Sequence, residues 1–328
     1  MARNIHPSPG GASSPDPKGS VEDFAHVNTI VMDLDDTIVS GTPPLLAYIE
    51  TLYEGLSRET RLSMAEIAKG FAEIRLNEIY AFTKALNQHG PLREKYPHGD
   101  LNERFAHIGE RANKAFVDAL QPDPDFVAAI ERWHAQGYRL ILMTEGPGSA
   151  TTTKIDPLPF ADALEKVGVV DETSPVPGQT LAQLYPSKLW DLIVPLPAGF
   201  KEDSQVVKAG LDAMGVDPKT TVMIGNRTDR DLKPMHELGA KTILVNHFNR
   251  RPNEAALKRQ IEKYLFGGKE MPKGAGAATT EDAGGVTPDA TLERTARLTE
   301  LLAGPPGYVP KTGGASPRPD VPRPGPKN

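Results

Sequence analysis

Five short, almost unbroken apolar runs recur along this chain between stretches of helical spacing, and that alternation most narrows the folds open to it. The runs are Thr29–Met32, Arg139–Met143, Leu189–Val194, Thr221–Ile224 and Thr242–Val245. A strand that is apolar on both faces has to be covered on both, as parallel strands are by their crossover helices. Helical patterns over Asp125–Gln136, Asp203–Met214 and Asp229–Leu238 precede the second, fourth and fifth runs. The last two stop at Gly215 and Gly239, where glycine readily takes the left-handed position that closes a helix. The pattern predicts an α/β fold with a doubly wound parallel, Rossmann-like sheet, whose ligands bind at the carboxyl ends of the strands.

One connection does not fit a simple strand–helix–strand unit. About 110 positions separate Asp33 from Thr144, against roughly 30 for such a unit. The excess is rich in Ala, Leu, Glu and Arg, with Ile67, Phe71, Ile74 and Ile79 at helical spacing, so an inserted α-helical subdomain is expected over residues 45–120. Residues 26–44 and 121–266 would form the α/β core. Residues 1–25 and 267–328 are dominated by Pro, Gly, Ala and Thr, with few large apolar side chains to offset the entropy of ordering. They read as disordered tails, apart from a helix over residues 288–302 that could dock on the core or on a protein partner.

Composition removes several classes. The chain has 328 residues, 38% of them hydrophobic, a formal charge of −6 and no cysteine. Disulfides, thiolate catalysis and cysteine-bound metals are excluded, and the acidic balance disfavours docking on nucleic acid. No apolar run reaches the roughly 18 residues of a membrane helix, and the first 25 residues lack the apolar block of a signal peptide. A cytoplasmic enzyme without a membrane or nucleic-acid partner is the expectation.

Chemistry concentrates where strands end. The first run leads into Asp33, Asp35 and Asp36, then Thr37. Two carboxylates about 4 Å apart repel by roughly 4 kcal/mol at an effective dielectric near 20, so something must compensate; unless the stretch is an ordinary acidic turn, a divalent cation is the candidate, and all-oxygen ligation points to Mg²⁺. A calcium loop beginning at Asp33 would want Gly and Glu where the chain has Ile38 and Pro44. No GxxxxGK[ST] or GxGxxG follows a strand. After the second run stands Thr144, whose hydroxyl and neighbouring backbone N–H groups suit a phosphate oxygen. Lys201, in GFKEDSQ, is a point cation of the phosphate-binding kind, and GNRTDRD, from Gly225 to Asp231, brings Asp229 and Asp231.

DLDDT, the threonine of LILMTEG, the lysine of FKEDS and GNRTDRDLKPMHELGAKTILV resemble, in order, the four motifs of the haloacid dehalogenase-like hydrolases, phosphatase type. The resemblance covers about Val27 to Val245 and extends to the inserted subdomain only as a helical cap in position and character. It implies that Asp33 is a nucleophile forming an aspartyl-phosphate, and that Asp35 is the general acid and base. It further implies that Thr144 holds the phosphoryl oxygens, that Lys201 neutralises them and orients Asp33, and that Mg²⁺ sits on Asp33, the backbone carbonyl of Asp35 and Asp231. Gly225-Asn226 departs from the usual Gly-Asp, which puts an amide where a charge is customary in the metal site. Asp36 stands where Gly is common and would add an acid near the metal. Lys208 and Lys188 are alternatives to Lys201.

The reading that results is a Mg²⁺-dependent phosphatase of a small phosphorylated metabolite, since dehalogenases lack an acid two residues after the nucleophile. Arg75, Asn77, Glu78 and Tyr80 would line the cap, and His247 lies just beyond the fifth strand. The alternatives are a binding or scaffold protein that has lost turnover, and a phosphomutase, phosphonatase or dehalogenase on the same scaffold.

Overall fold

The computed structural model describes residues 21–74, 85–144, 165–169, 193–196, 200–248, 254–266 and 285–307. Within these, β1 (Thr29–Met32) is followed by the helices α1 (Thr42–Thr60), α2 (Met64–Ile74), α3 (Gly90–Lys95), α4 (Leu101–Arg104) and α5 (Ala106–Asp118). Then come α6 (Pro124–Ala135), β2 (Arg139–Thr144), β3 (Glu165–Val169), β4 (Ile193–Leu196) and α7 (Ser204–Ala213). The chain continues through β5 (Thr221–Gly225), α8 (Lys233–Glu237), β6 (Lys241–Val245), α9 (Glu254–Phe266), β7 (Ala290–Leu292) and the single turn α10 (Leu298–Leu301). No helix among the described residues is long and apolar enough to cross a membrane.

The strands form one sheet in the order β4-β3-β2-β1-β5-β6-β7, with every neighbouring pair parallel. The two-residue period of a strand explains why these runs had to be apolar throughout. Ile30, Met32, Leu140, Leu142, Val222 and Ile224 point to one face, where Phe126, Ile130 and Trp133 of α6 cover them. Val31, Ile141, Met143, Met223 and Leu244 point to the other, against Val207 and Leu211 of α7 and Met235 beside them. The fold is therefore doubly wound, with β1 at its centre.

Two strands were not legible in the sequence, and one boundary moves. β3 (EKVGV) has no continuous apolar run. The expected run Leu189–Val194 becomes a strand over Ile193–Leu196, and residues 189–192 lie outside the described residues. Pro195 is tolerated there because, among the described residues, β4 pairs on one side only.

The expected disorder of residues 267–328 is corrected for residues 285–307. This segment adds β7 to the sheet edge and buries Ala290, Leu292, Leu298, Leu301 and Leu302 in the core. The helix expected over residues 288–302 shrinks to α10, because pairing β7 with β6 buries more apolar surface than one more exposed helical turn would. Asp289 fastens the new edge: one carboxylate oxygen accepts from the Thr242 backbone and hydroxyl at 2.9 and 3.0 Å, the other from Lys241 at 2.9 Å. At the other end the structure begins at Val21, and Phe24 is fully buried although it falls within the segment expected to be disordered.

Helices α1 to α5 enclose their own apolar cluster, with Ile49, Leu52, Tyr53 and Leu56 of α1 facing Ile108, Ala112 and Phe116 of α5. The expectation placed residues 254–266 with the α/β core. Instead α9 lays Leu257, Ile261 and Tyr264 on the helical cluster, and the Tyr53 hydroxyl donates to the Tyr264 carbonyl at 3.1 Å.

Since Leu298 is fully buried within the sheet's main cluster, Leu298→Ala is expected to cost roughly 2–5 kcal/mol by urea denaturation. A loss well under 1 kcal/mol would show that the segment is not part of the core.

Candidate active site

The central strand continues as hydrogen-bonded backbone one residue past β1: Asp33 N–H donates to the Ile224 carbonyl at 3.0 Å. Asp33 is thereby seated at the carboxyl edge of the sheet between β2 and β5, and it is buried. The chain then turns sharply, with the Leu34 carbonyl accepting from Thr37, Ile38 and Val39. Asp36 occupies the left-handed region at φ 57°. That conformation explains why glycine suits this position, and here the Asp36 carboxylate offsets the strain by accepting from Gly41 N–H at 3.0 Å. The Asp36 oxygen described is thus engaged in shaping the turn rather than in adding an acid to the metal site.

Lys201 arrives from a 3-10 turn, Phe200–Glu202, just before α7, whose first N–H groups are capped by Asp203. Its Nζ donates to Asp33 Oδ1 at 2.5 Å and to Asp231 Oδ1 at 2.9 Å, all three side chains being almost wholly buried. Lys208, by contrast, is an exposed partner of Asp212 at 2.6 Å, and Lys188 lies outside the described residues.

Asp231 reaches this point through one turn of π-helix, Thr228–Leu232. The wider turn seats the extra residue between Gly225 and the acid, a device common at functional sites. Its Oδ2 accepts from the backbone N–H groups of Asn226 and Arg227 at 3.1 and 2.9 Å. Gly225 is required: a Cβ there would stand 2.7 Å from Asp231 Oδ2. Asp229 turns elsewhere, in a two-point pair with Arg227 at 3.1 and 2.7 Å that holds its carboxyl below the usual range.

Of the other expected residues, Thr144 is buried at the end of β2, on the strand beside β1, and Asp35 is half-buried in the turn, bridged to Val39. Asn226 is buried and touches Asp231 through its backbone. His247 lies against Asp123, 3.6 Å from its Oδ2. Arg75, Asn77, Glu78 and Tyr80 lie outside the described residues. A residue without an assigned role enters: the Thr37 hydroxyl donates to Asp33 Oδ2 at 3.1 Å, so both oxygens of Asp33 are held. Its signal was the threonine closing DLDDT, a small hydroxyl one tight turn beyond the acid.

The electrostatics are those of two buried carboxylates facing one ammonium. Burial, then the neighbouring Asp231, pushes the Asp33 carboxyl up to about 7 against the pull of Lys201. Burial would lower the Lys201 ammonium, but Asp231 and Asp33 outweigh it and hold it above the ordinary lysine range. The surplus negative charge suits a divalent cation. No cluster of three acidic or imidazole side chains stands ready among the described residues; Asp33, Asp231, Asn226 and the Asp35 carbonyl, the set the family resemblance implies, are the groups that could hold one. A shell completed by water in this way is typical of Mg²⁺.

A parallel doubly wound sheet thus gathers a buried acid–lysine–acid cluster at its carboxyl edge. The haloacid dehalogenase-like hydrolase family model matches residues 27–239, and the chain belongs to that family. No curated protein sequence matches it. Among solved structures, it resembles a HAD phosphatase from Thermococcus onnurineus at 16% identity, covering 86% of this chain and 100% of that one, with a TM-score of 0.48. It also resembles a 2-haloacid dehalogenase from Pseudomonas syringae pv. Tomato DC3000 at 14% identity, over 84% and 98% of the two chains, with a TM-score of 0.47. The magnesium-bound HAD-hydrolase YfnB from Bacillus subtilis follows at 14% identity, over 84% and 99%, with a TM-score of 0.46.

Because Asp33 holds its proton more tightly in the folded chain than in the unfolded one, its ionisation subtracts stability as pH rises from about 4 through about 7. In EDTA, the melting temperature of wild type is expected to fall more between pH 5 and pH 8 than that of Asp33→Asn. Parallel pH profiles for the two proteins would contradict this charge balance.

Proposed function

We propose that this chain is a Mg²⁺-dependent phosphatase of a small phosphorylated metabolite, working through an aspartyl-phosphate on Asp33. The observation that carries the reading is Lys201 Nζ lying within hydrogen-bonding distance of both Asp33 and Asp231. It marks a place where an anionic nucleophile and an anionic ester can be brought together. Lys201 and Thr37 aim one Asp33 oxygen by holding the carboxylate at both ends. That oxygen attacks phosphorus as the ester P–O bond breaks, and Thr144 and Lys201 bind the phosphoryl oxygens as they gain charge.

Asp35, two residues on, gives its proton to the departing alcohol. It then takes one from the water that cleaves the aspartyl-phosphate, which restores both acids and releases inorganic phosphate. Bound Mg²⁺ would screen the nucleophile from the substrate and orient the phosphoryl group, held by Asp33, Asp231, the Asp35 carbonyl and Asn226. The proton function assigned to Asp35 favours phosphoryl transfer over attack on carbon, where no leaving alcohol needs protonation. Helices α1 to α5 would serve as a cap that shapes the substrate pocket, because the chain enters and leaves them beside the turn that follows Asp33.

A panel of phosphorylated metabolites assayed with and without Mg²⁺ tests this. Wild type should release phosphate from at least one, EDTA should stop it, Asp33→Asn should be dead, and Asp35→Asn should lose roughly 10²–10⁴-fold. Full turnover by Asp33→Asn, or release unaffected by EDTA, would overturn the mechanism.

A further inference from the structure

The C-terminal segment that closes the sheet also reaches the loop carrying the acid. Thr295, three residues past β7 and 3% exposed, donates its hydroxyl to Asp123 Oδ1 at 2.7 Å. That oxygen also accepts the Phe126 N–H of α6 at 2.9 Å, and the ring of His247 approaches the other oxygen. The Asp123 backbone N–H in turn donates to the Ile38 carbonyl at 2.9 Å, within the turn that follows the nucleophile. Val39, next along, bridges to Pro122 on one side and to Asp35 on the other, and its carbonyl accepts from Asp36 N–H at 2.7 Å. A continuous path of short contacts thus runs from Thr295 through Asp123 to the backbone of Asp35.

We propose that Thr295 and Asp123 are positioning residues for Asp35, so that residues 285–307 belong to the catalytic apparatus as well as to the core. The inference rests on the reading of Asp35 as the proton donor. Two features favour it over a purely structural latch. First, Asp123 stands where the helical layer returns to the sheet and its N–H is spent on the nucleophile loop, so the position of its carboxylate sets where that loop lies. Second, Thr295 and His247, which reach the Asp123 carboxylate from beyond α6, fall outside residues 27–239, the stretch the family model matches. The other end of the segment meets the loop that carries Asp231: Gly285 packs flat on Thr228, leaving no room for a Cβ. The segment therefore touches both flanks of the cluster.

Protonating the leaving group matters greatly for an alkoxide and little for a nitrophenolate, and the test uses that contrast. Thr295→Val keeps the shape and removes the hydroxyl. With Mg²⁺ saturating and at a temperature where each protein is folded, kcat/KM for an alkyl phosphate should fall about 10-fold, a modest share of the roughly 10²-fold that a misplacement of 1 Å can cost. On p-nitrophenyl phosphate kcat/KM, which ends at the aspartyl-phosphate and so leaves out the water step that Asp35 also serves, should change by less than about 2-fold. Thr295→Ser should restore the alkyl rate.

Should Thr295→Val not yield folded protein, Asp123→Ser takes its place, since serine still caps α6 but withdraws the carboxylate from Thr295. It must show the same dependence on the leaving group. Equal losses on the two esters, or none on the alkyl ester, would overturn the inference while leaving the phosphatase reading intact. Wild type inert towards both esters would bring down that reading, and this inference with it.

Discussion

A single buried ammonium, Lys201, shared between Asp33 and Asp231, is the constraint around which the rest is arranged. Burying charge is tolerable only when it is paired and hydrogen-bonded, and the fold supplies what this needs from three directions. Thr37 holds one acid, the N–H groups of Asn226 and Arg227 hold the other, and the 3-10 turn before α7 delivers the lysine. Removing any of these groups would leave a buried charge short of a partner. Burial, with Asp231 close by, keeps Asp33 from being an ordinary acid.

The sheet makes this convergence inexpensive. Parallel strands present all their carboxyl ends on one edge, so residues far apart in the chain meet without distorting the core. β1 and β5 bring Asp33 and the Gly225 loop side by side in register, and the two faces of each strand remain committed to separate apolar clusters. Chemistry is confined to the edge and stability to the faces, apart from the turn at Asp36, where a carboxylate bond to Gly41 compensates for a left-handed backbone.

What could be read in advance follows the same division. The limits of β1 were legible because a run that is apolar on both faces has no other comfortable place; Asp33 stood out because it directly follows that run, and Lys201 and Asp231 because FKEDS and GNRTDRD resemble the family's motifs. β3 was illegible since Glu165, Lys166 and Gly168 interrupt its apolar character. β7 was illegible because three residues carry no period, and only the neighbouring β6 makes a strand of them. Thr37 could not be assigned because the aim of its hydroxyl depends on the turn. Asp123 and Thr295, 172 positions apart, acquire a meaning only once the chain has folded.

The route taken by α9 bears on how such a molecule could be re-engineered or have diverged. The chain leaves the sheet after β6, contributes Leu257, Ile261 and Tyr264 to the helical layer, and returns to form β7. The helical layer is therefore not one contiguous stretch of gene. Transplanting residues 42–118 into a relative would carry over a hydrophobic seat with no occupant, whereas α9 transplanted alone would arrive with nothing to cover. In this chain the two have to be inherited as a pair, which ties the history of the helical layer to that of the sheet's far edge.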